Sequence, residues 1–145
     1  MKKAALIYSS ITGNTEEVVK KLELYLSSEL LLEVFSVHDF KLNTLTSYDL
    51  IIIGTYSWGD GEIPLEMLPL YQAFETEATK QIKTAVFGTG DSFYPHFCGA
   101  VNEFRDMLFV QTTLLATLKI ELAPQPSDEE RMKKFATIML TKVYE

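Results

Sequence analysis

The amino-acid sequence predicts an α/β fold: a doubly wound, five-stranded parallel sheet with helices on both faces. Short apolar segments bounded by turn residues alternate along the chain with segments whose apolar residues recur at helical spacing. The strand segments are apolar without polar alternation, which is typical of parallel strands covered on both sides. Parallel neighbours in one sheet need helical crossovers, so this alternation predicts a doubly wound sheet.

The first strand and helix enclose the most informative loop of the chain. Residues 4–8 are apolar, and residues 16–26 carry apolar side chains at i, i+3 and i+4 spacing. The first segment is therefore predicted as a buried strand and the second as a helix packed on the sheet. The loop between them, 9–15, consists of small hydroxylated residues around one glycine.

The remaining elements follow in the same alternation. Strands are predicted at 30–37, 50–53, 84–87 and 114–122, and helices at 66–78, 100–108 and after residue 127. The segment 50–53, bounded by Gly54, is expected in the centre of the sheet. Pro69 fits only the first turn of its helix. Ser127 and Glu130 predict a capping box for the last helix, and the connector 38–47 is expected to turn around Asn43.

Composition and charge narrow the classes of function. The chain has 145 residues, of which 47% are hydrophobic and 23% charged, and we expect one domain over 1–145. The net charge of −7 disfavours nucleic acid and anionic membranes and favours basic protein partners, although an acidic balance also simply aids solubility. No apolar window is long enough to span a membrane. The single cysteine, Cys98, cannot form an internal disulfide, so we expect a cytoplasmic protein.

The loop at 9–15 has the features of an anion site. A strand-to-helix turn presents unpaired backbone N–H groups, and the helix dipole adds partial positive charge there. Ser10, Thr12, Asn14 and Thr15 add side-chain donors. The lysine-containing pattern that grips a nucleoside triphosphate is absent, so a single phosphate monoester fits better. The alternative is that these residues only cap the helix.

Two further loops leave the carboxyl ends of the third and fourth predicted strands. Trp58 lies among polar and glycine residues in one, and Tyr94 has a matching position in the other. Large rings in such settings are expected to cover a ligand, and two of them flanking a phosphate turn predict a sandwich for a flat conjugated molecule. Tyr94 has an alternative role as an anchor of its loop, which is also the role expected of Phe93 and Phe97.

The other chemically notable residues have simpler interpretations. His96 is expected on the surface, because the sequence offers it no nucleophile or metal partner. Cys98 is expected to be a small buried residue, since no arginine follows at the spacing that phosphatases use. Gly59 is expected to adopt a positive φ in a tight turn over 58–61, as a type II′ turn requires. We expect no catalytic residues and no metal site.

Three motifs in this order resemble those of the short-chain bacterial flavodoxins. The phosphate-loop pattern occurs as Ser10-Ile11-Thr12-Gly13-Asn14-Thr15, the second motif as Trp58-Gly59-Asp60, and the third as Gly90-Asp91-Ser92-Phe93-Tyr94. The resemblance covers the whole chain and implies the strand order 2-1-3-4-5 with FMN at the switch point. Two departures are notable: Gly61 replaces an acid found in many members, and Phe93 replaces a frequently small residue.

The resemblance also implies roles for individual residues. Ser10, Thr12, Asn14, Thr15 and the amides of Ile11 and Gly13 would hold the phosphate, with Trp58 on one face of the isoalloxazine and Tyr94 on the other. Thr55, Asp91 and the backbone near Cys98 would contact the pyrimidine edge and the ribitol. The full set expected around FMN is Ser9, Ser10, Ile11, Thr12, Gly13, Asn14, Thr15, Thr55, Tyr56, Ser57, Trp58, Gly59, Asp60, Gly88, Thr89, Gly90, Asp91, Tyr94, Phe97 and Cys98.

The function implied is that of a low-potential one-electron carrier with non-covalent FMN, not an enzyme with its own substrate. Its partners would be reductases and acceptor enzymes with basic docking surfaces, bound transiently by a monomer. An alternative is an FMN protein of the same fold with a dedicated task, such as an activator of ribonucleotide reductase or a quinone reductase. A signalling receiver domain is disfavoured, because it needs an aspartate after the third strand, where Ile53-Gly54-Thr55 provides none.

Overall fold

The apolar segments of the chain form strands separated by helices, as the sequence predicts. The computed structural model describes residues 1–78 and 80–145. The strands within these residues are β1 (Lys3–Tyr8), β2 (Leu31–Ser36), β3 (Leu50–Tyr56), β4 (Lys83–Gly90) and β5 (Thr113–Glu121). The α-helices are α1 (Asn14–Leu26), α2 (Leu68–Glu77), α3 (Gly99–Gln111) and α4 (Glu129–Lys142).

The five strands form one parallel sheet in the order β2-β1-β3-β4-β5. The chain leaves β1 to one side, forms β2, and then crosses back to place β3 on the other side of β1. Ala4 is accordingly in register with Leu32 of β2 and with Leu50 of β3. This order confirms the predicted doubly wound fold and its strand order, and it places the switch point between β1 and β3.

Alternate residues of each strand point into two separate apolar layers. Leu6 and Ile52 pack with α1 and α4 on one face, whereas Ile7 and Ile53 pack with α2 and α3 on the other. All four side chains are fully buried. Burial on both faces explains why these strands lack polar alternation.

The observed elements extend beyond several predicted ends. Gly54 and Thr55 lie inside β3, and β4 continues through Gly90, so the second and third loops begin later than the sequence predicts. Backbone pairing causes both extensions, because the ladder between β3 and β4 continues to Tyr56 and Thr89. α1 begins at Asn14, two residues earlier than predicted.

Two local predictions are wrong. Leu42–Ser47 form a 3-10 helix where a turn around Asn43 is expected, and the buried side chain of Leu45 fixes this segment against the core. The capping box at the last helix is formed by Gln125 and Asp128, not by Ser127 and Glu130. A 3-10 turn at Pro126–Asp128 starts the helical segment earlier, so the capping position moves to Gln125.

The prediction for the second helix is nearly correct. Leu65–Met67 form a 3-10 turn that leads into α2, and Pro69 lies in the first turn of α2, as expected. The described residues contain no helix that is both long and apolar enough to cross a membrane.

Two lysines cap helices at the amino-terminal edge of the sheet. The Lys83 ammonium, at the start of β4, donates to the carbonyls of Lys142, Val143 and Glu145 at 2.9, 3.0 and 2.6 Å. The Lys80 ammonium donates to the carbonyl of Phe109, in the last turn of α3, at 2.7 Å and to that of Thr112, just beyond its end, at 3.1 Å. A cation at a helix carboxyl end satisfies unpaired carbonyls and opposes the negative end of the dipole.

We predict that Lys83→Met lowers the free energy of unfolding by about 1–2 kcal/mol, because the end of α4 loses both its charge partner and its donor. Urea unfolding followed by circular dichroism measures the change. Lys21→Met, at an exposed position in the middle of α1, is the control and should change the free energy by less than about 0.5 kcal/mol. Equal losses in the two variants would contradict the capping role.

Candidate functional site

Three loops converge where the strands on either side of the switch point end. They follow β1, β3 and β4, which are adjacent in the sheet, so the predicted site residues at 9–15, 55–60 and 88–98 lie at one edge. The register places Tyr8 beside Gly54 and Tyr56 beside Thr89. The carboxyl edge at a switch point is where ligands bind in open α/β sheets.

The first loop turns into α1 at Gly13. Gly13 has a φ of 90°, and its carbonyl accepts the first helical hydrogen bond from Glu17 at 3.0 Å. Its N–H donates to Ser10 Oγ at 3.1 Å, which closes the loop into a compact turn. Apart from Gly13 and its chain neighbours, no atom of the described residues lies within 4 Å of the place where a Gly13 side chain would begin, so the turn faces open space.

A buried pair of hydroxyls connects this turn to β4. The Oγ1 atoms of Thr15 and Thr89 are 2.8 Å apart, and both side chains are almost fully buried. A buried hydroxyl needs a partner, so each threonine satisfies the other. The pair fixes the first turn of α1 against the end of β4.

A second connection, absent from the sequence prediction, involves Glu66. Its Oε2 accepts hydrogen bonds from Ser9 Oγ and from the Tyr56 hydroxyl, both at 2.6 Å. Ser9 and Tyr56 belong to the predicted site, whereas Glu66 lies in the 3-10 turn Leu65–Met67. Sequence gives little indication of this contact, since 57 residues separate Glu66 from Ser9.

The second loop is a short hairpin that presents Trp58. The N–H of Trp58 donates to the carbonyl of Glu62, and the N–H of Glu62 donates to the carbonyl of Trp58, both at 2.7 Å. Gly59 and Gly61 have φ values of 53° and 88°. The positive φ predicted at Gly59 is confirmed, but the turn closes at Glu62, one residue later than expected. The Trp58 side chain is 55% exposed.

The third loop presents Tyr94 by means of Asp91. Asp91 Oδ1 accepts from the N–H of Phe93 at 2.9 Å, and the Asp91 carbonyl accepts from the N–H of Tyr94 at 3.1 Å. Tyr94 is 52% exposed. This turn directs Phe93 into solvent with 86% exposure, so its predicted anchoring role is wrong. The anchoring role of Phe97 is confirmed, because it packs against the core layer that contains α3.

The second and third loops contact each other through glycine backbone. A Cβ atom on Gly99 would lie 2.4 Å from the carbonyl oxygen of Gly61, and one on Gly61 would lie 2.7 Å from His96 Cβ. Asp60 Oδ2 and His96 Nε2 lie 3.7 Å apart across the same boundary, and both side chains are exposed, which confirms His96 as a surface residue. The two loops enclose a cavity of about 320 Å³. It is lined by Ser57, Gly59, Asp60, Gly61, Gly90, Asp91, Tyr94, His96 and Cys98.

Cys98 closes the base of this cavity as a neutral thiol. It is 1% exposed and precedes α3 with a φ of 51°. Burial raises the pKa of the thiol to about 11, so it is protonated at neutral pH and a poor nucleophile. The prediction of a small buried residue is confirmed. Among residues 1–78 and 80–145, no group of three or more His, Cys, Asp or Glu side chains is placed to hold a metal ion.

Comparison with known proteins identifies the family. The family model described as flavodoxin matches residues 6–135. The chain belongs to the flavodoxin family. A relative described as probable flavodoxin 1 of Bacillus subtilis is 40% identical over 140 residues, covering 94% of this chain and 89% of the relative. The crystal structure of oxidised flavodoxin 1 from Bacillus cereus superposes with a TM-score of 0.90 at 32% identity, covering 97% of this chain and 98% of that one.

A third relative belongs to a larger protein. The sulfite reductase [NADPH] flavoprotein alpha-component of Shigella dysenteriae is 34% identical over 107 residues, which cover 71% of this chain and 18% of the relative.

Flavodoxins bind FMN and transfer electrons to and from partner proteins without turning over a substrate of their own. The chain is therefore an FMN-binding electron-transfer protein.

The geometry of the three loops fits this cofactor. The turn at Gly13 lies at the amino-terminal end of α1 and faces open space, which suits a phosphate, and the cavity between the other loops is bordered by the half-exposed ring of Tyr94. Trp58, on the hairpin that contributes Gly59 to the cavity, presents a second half-exposed ring. Rings of this kind gain free energy when they stack on a flat conjugated ligand.

We predict that Gly59 and Gly61 respond differently to asparagine. Asparagine enters the left-handed region with little strain, and a side chain at Gly59 meets no protein atom within 4 Å beyond its chain neighbours, so Gly59→Asn should lower the free energy of unfolding of the apoprotein by less than about 0.5 kcal/mol. Gly61→Asn forces a clash with His96 and should lower it by about 1–3 kcal/mol. Urea unfolding of the apoprotein, followed by circular dichroism, measures both. Similar losses in the two variants would show that backbone conformation, not spacing between the loops, dominates.

Proposed function

We propose that this protein is a low-potential one-electron carrier that shuttles between reductase and acceptor proteins, with non-covalent FMN held in one domain over residues 1–145. The observation that carries the proposal is the pair of half-exposed rings, Trp58 and Tyr94, on two touching loops beside an anion-binding turn. A redox carrier must bind its cofactor tightly and still leave one edge of it accessible to partner proteins. Half-exposed aromatic rings suit this, because they can stack on the flavin without enclosing it completely.

We assign the phosphate to the first loop and the ring system to the other two. The residues assigned to FMN are Ser9, Ser10, Ile11, Thr12, Gly13, Asn14, Thr15, Thr55, Tyr56, Ser57, Trp58, Gly59, Asp60, Gly88, Thr89, Gly90, Asp91, Tyr94, Phe97 and Cys98. Several act by shaping the loops. Ser57 Oγ accepts the N–H of Ala100 at 3.1 Å and so ties the second loop to the start of α3.

FMN supplies one-electron redox chemistry when it is bound, and the protein sets its environment. Trp58 and Tyr94 orient the ring and limit the access of water to its faces. Asp60, Glu62 and Asp91 place negative charge at the same edge of the sheet, and carboxylates disfavour electron gain nearby. The proposed low potential rests on these charges.

The same acidic edge supports the proposal for partners. A net charge of −7 with carboxylates around the exposed rings complements a basic docking surface. Exposed charges speed encounter and are weakened by salt, which suits a complex that must dissociate after each transfer. The similarity to the sulfite reductase flavoprotein supports redox proteins as the partner class. We propose that the carrier works as a cytoplasmic monomer.

We predict that Trp58→Ala and Tyr94→Ala each weaken FMN binding by about tenfold or more, since an aromatic stacking contact contributes about 0.5–1.5 kcal/mol beyond the area it buries. Fluorescence of released flavin measures the dissociation constant, and circular dichroism checks the fold. Phe109→Ala removes an exposed aromatic side chain from α3 and should leave binding unchanged. Wild-type affinity in both ring variants would contradict the assignment.

We predict that removing negative charge from the carboxylates beside the exposed rings, Asp60, Glu62 and Asp91, raises the midpoint potential of bound FMN. A unit charge at about 10 Å contributes about 1.7 kcal/mol at an effective dielectric of about 20, or about 70 mV for one electron, and solvent exposure reduces this. Asp60→Asn with Asp91→Asn should raise the potential by about 20–70 mV at low salt and by less at high salt. Redox titration of the holoprotein measures it.

The matched control replaces two exposed acids at the opposite end of the molecule. Glu29 follows the carboxyl end of α1, and Glu145 lies beyond α4. Glu29→Gln with Glu145→Gln changes the net charge by the same amount and should leave the potential nearly unchanged. An equal shift in both double variants would mean that net charge, not the position of the carboxylates, sets the potential.

A further inference from the structure

One carboxylate joins the two segments assigned to opposite ends of FMN. Glu66 Oε2 accepts from Ser9 Oγ, at the start of the first loop, and from the hydroxyl of Tyr56, which ends β3 two residues before Trp58. Both distances are 2.6 Å, the length of a strong hydrogen bond from a hydroxyl to a charged oxygen. A single side chain therefore connects the phosphate turn with the loop that presents the first ring.

The charge states of these groups fix the direction of both bonds. Burial by itself raises the pKa of Glu66, but hydrogen bonds from Ser9, Tyr56 and its own backbone, with the nearby His38, lower it overall. Burial and the bond to Glu66 raise the pKa of the Tyr56 hydroxyl. Glu66 is therefore an ionised acceptor at neutral pH, and both hydroxyls keep their protons and donate.

Both hydrogen-bond donors of Ser9, its backbone N–H and its hydroxyl, are used in contacts within the protein. Its N–H donates to the carbonyl of Gly54 at 3.1 Å, its hydroxyl donates to Glu66, and the residue is 5% exposed. Ser9 is thereby clamped to β3 on one side and to the 3-10 turn on the other. The next residue, Ser10, receives the N–H of Gly13, so the position of the phosphate turn depends on how Ser9 is held.

We propose that Glu66 is a positioning residue for FMN, which sets the spacing between the phosphate turn and the Trp58 loop through its bonds to Ser9 and Tyr56. The proposal rests on the assignment of FMN to these loops. The phosphate and the ring are parts of one molecule. A change in the distance between the two loops therefore weakens FMN binding at both. A carboxylate suits the task, since one of its oxygens accepts two hydroxyls at once.

The first test compares two variants of Glu66 as holoproteins. Glu66→Ala removes the acceptor and should raise the dissociation constant for FMN about tenfold or more, as measured by flavin fluorescence on dilution. Glu66→Gln keeps a carbonyl acceptor without the charge and should stay within about threefold of wild type. Tighter binding by Glu66→Gln would overturn the proposal, because repulsion of the phosphate would then outweigh positioning. Glu75→Ala, at an exposed position of α2, is the control and should not change binding.

The second test asks whether Ser9 and Tyr56 act through Glu66. Ser9→Ala and Tyr56→Phe should each weaken FMN binding about threefold or more in the wild-type chain, and each should weaken it by a smaller factor in Glu66→Ala. These single variants also keep the proposal testable if Glu66→Ala folds poorly. Independent, additive losses would overturn it, as would a lower Tm in Glu66→Ala with an unchanged dissociation constant. Failure of the wild-type chain to bind FMN would instead overturn the assignment of FMN to these loops.

Discussion

The candidate site depends on the parallel pairing of β1 with β3. In a simple succession of strands β3 would pair with β2, whereas here it pairs with β1 on the side opposite to β2. The loops after β1 and β3 consequently leave one edge side by side, although the starts of the two strands, Lys3 and Leu50, are 47 positions apart in the chain. Without this register the anion turn and the Trp58 hairpin would have no common position.

Side-chain and backbone contacts then refine what the sheet provides. Thr15 and Thr89 join the first loop to β4, Glu66 joins it to the end of β3, and Gly61 and Gly99 bring the two aromatic loops together. Each contact joins segments that are distant in sequence. The three loops therefore form one connected framework. Buried hydroxyl contacts and close glycine backbone contacts hold the loops that carry the exposed rings.

The sequence predicts the fold well because the determinants of strands and helices are local. Apolar runs and helical spacing locate every strand and α-helix to within a few residues, whereas the strand order came from the resemblance to flavodoxins. The misses have non-local or weak determinants. Gln125 is not a preferred capping residue, so its place before Pro126 could not be inferred from its type. Phe93 is exposed because Asp91 turns the backbone outward, which hydrophobicity alone does not predict. Glu66 belongs to no local motif, and only the folded sheet brings it to Ser9.

The order of elements along the chain has a consequence for biosynthesis. All residues assigned to FMN lie before Gly99, yet β4, which carries several of them, is held by elements that are synthesised later. β5 pairs along the whole of β4, and Phe87 of β4 packs edge-on against Phe135 of α4 with ring centroids 6.2 Å apart. A nascent chain leaving the ribosome therefore displays the segments proposed to contact FMN before it can fix their positions. We expect stable retention of the flavin to be a late event of synthesis, which follows the docking of α4.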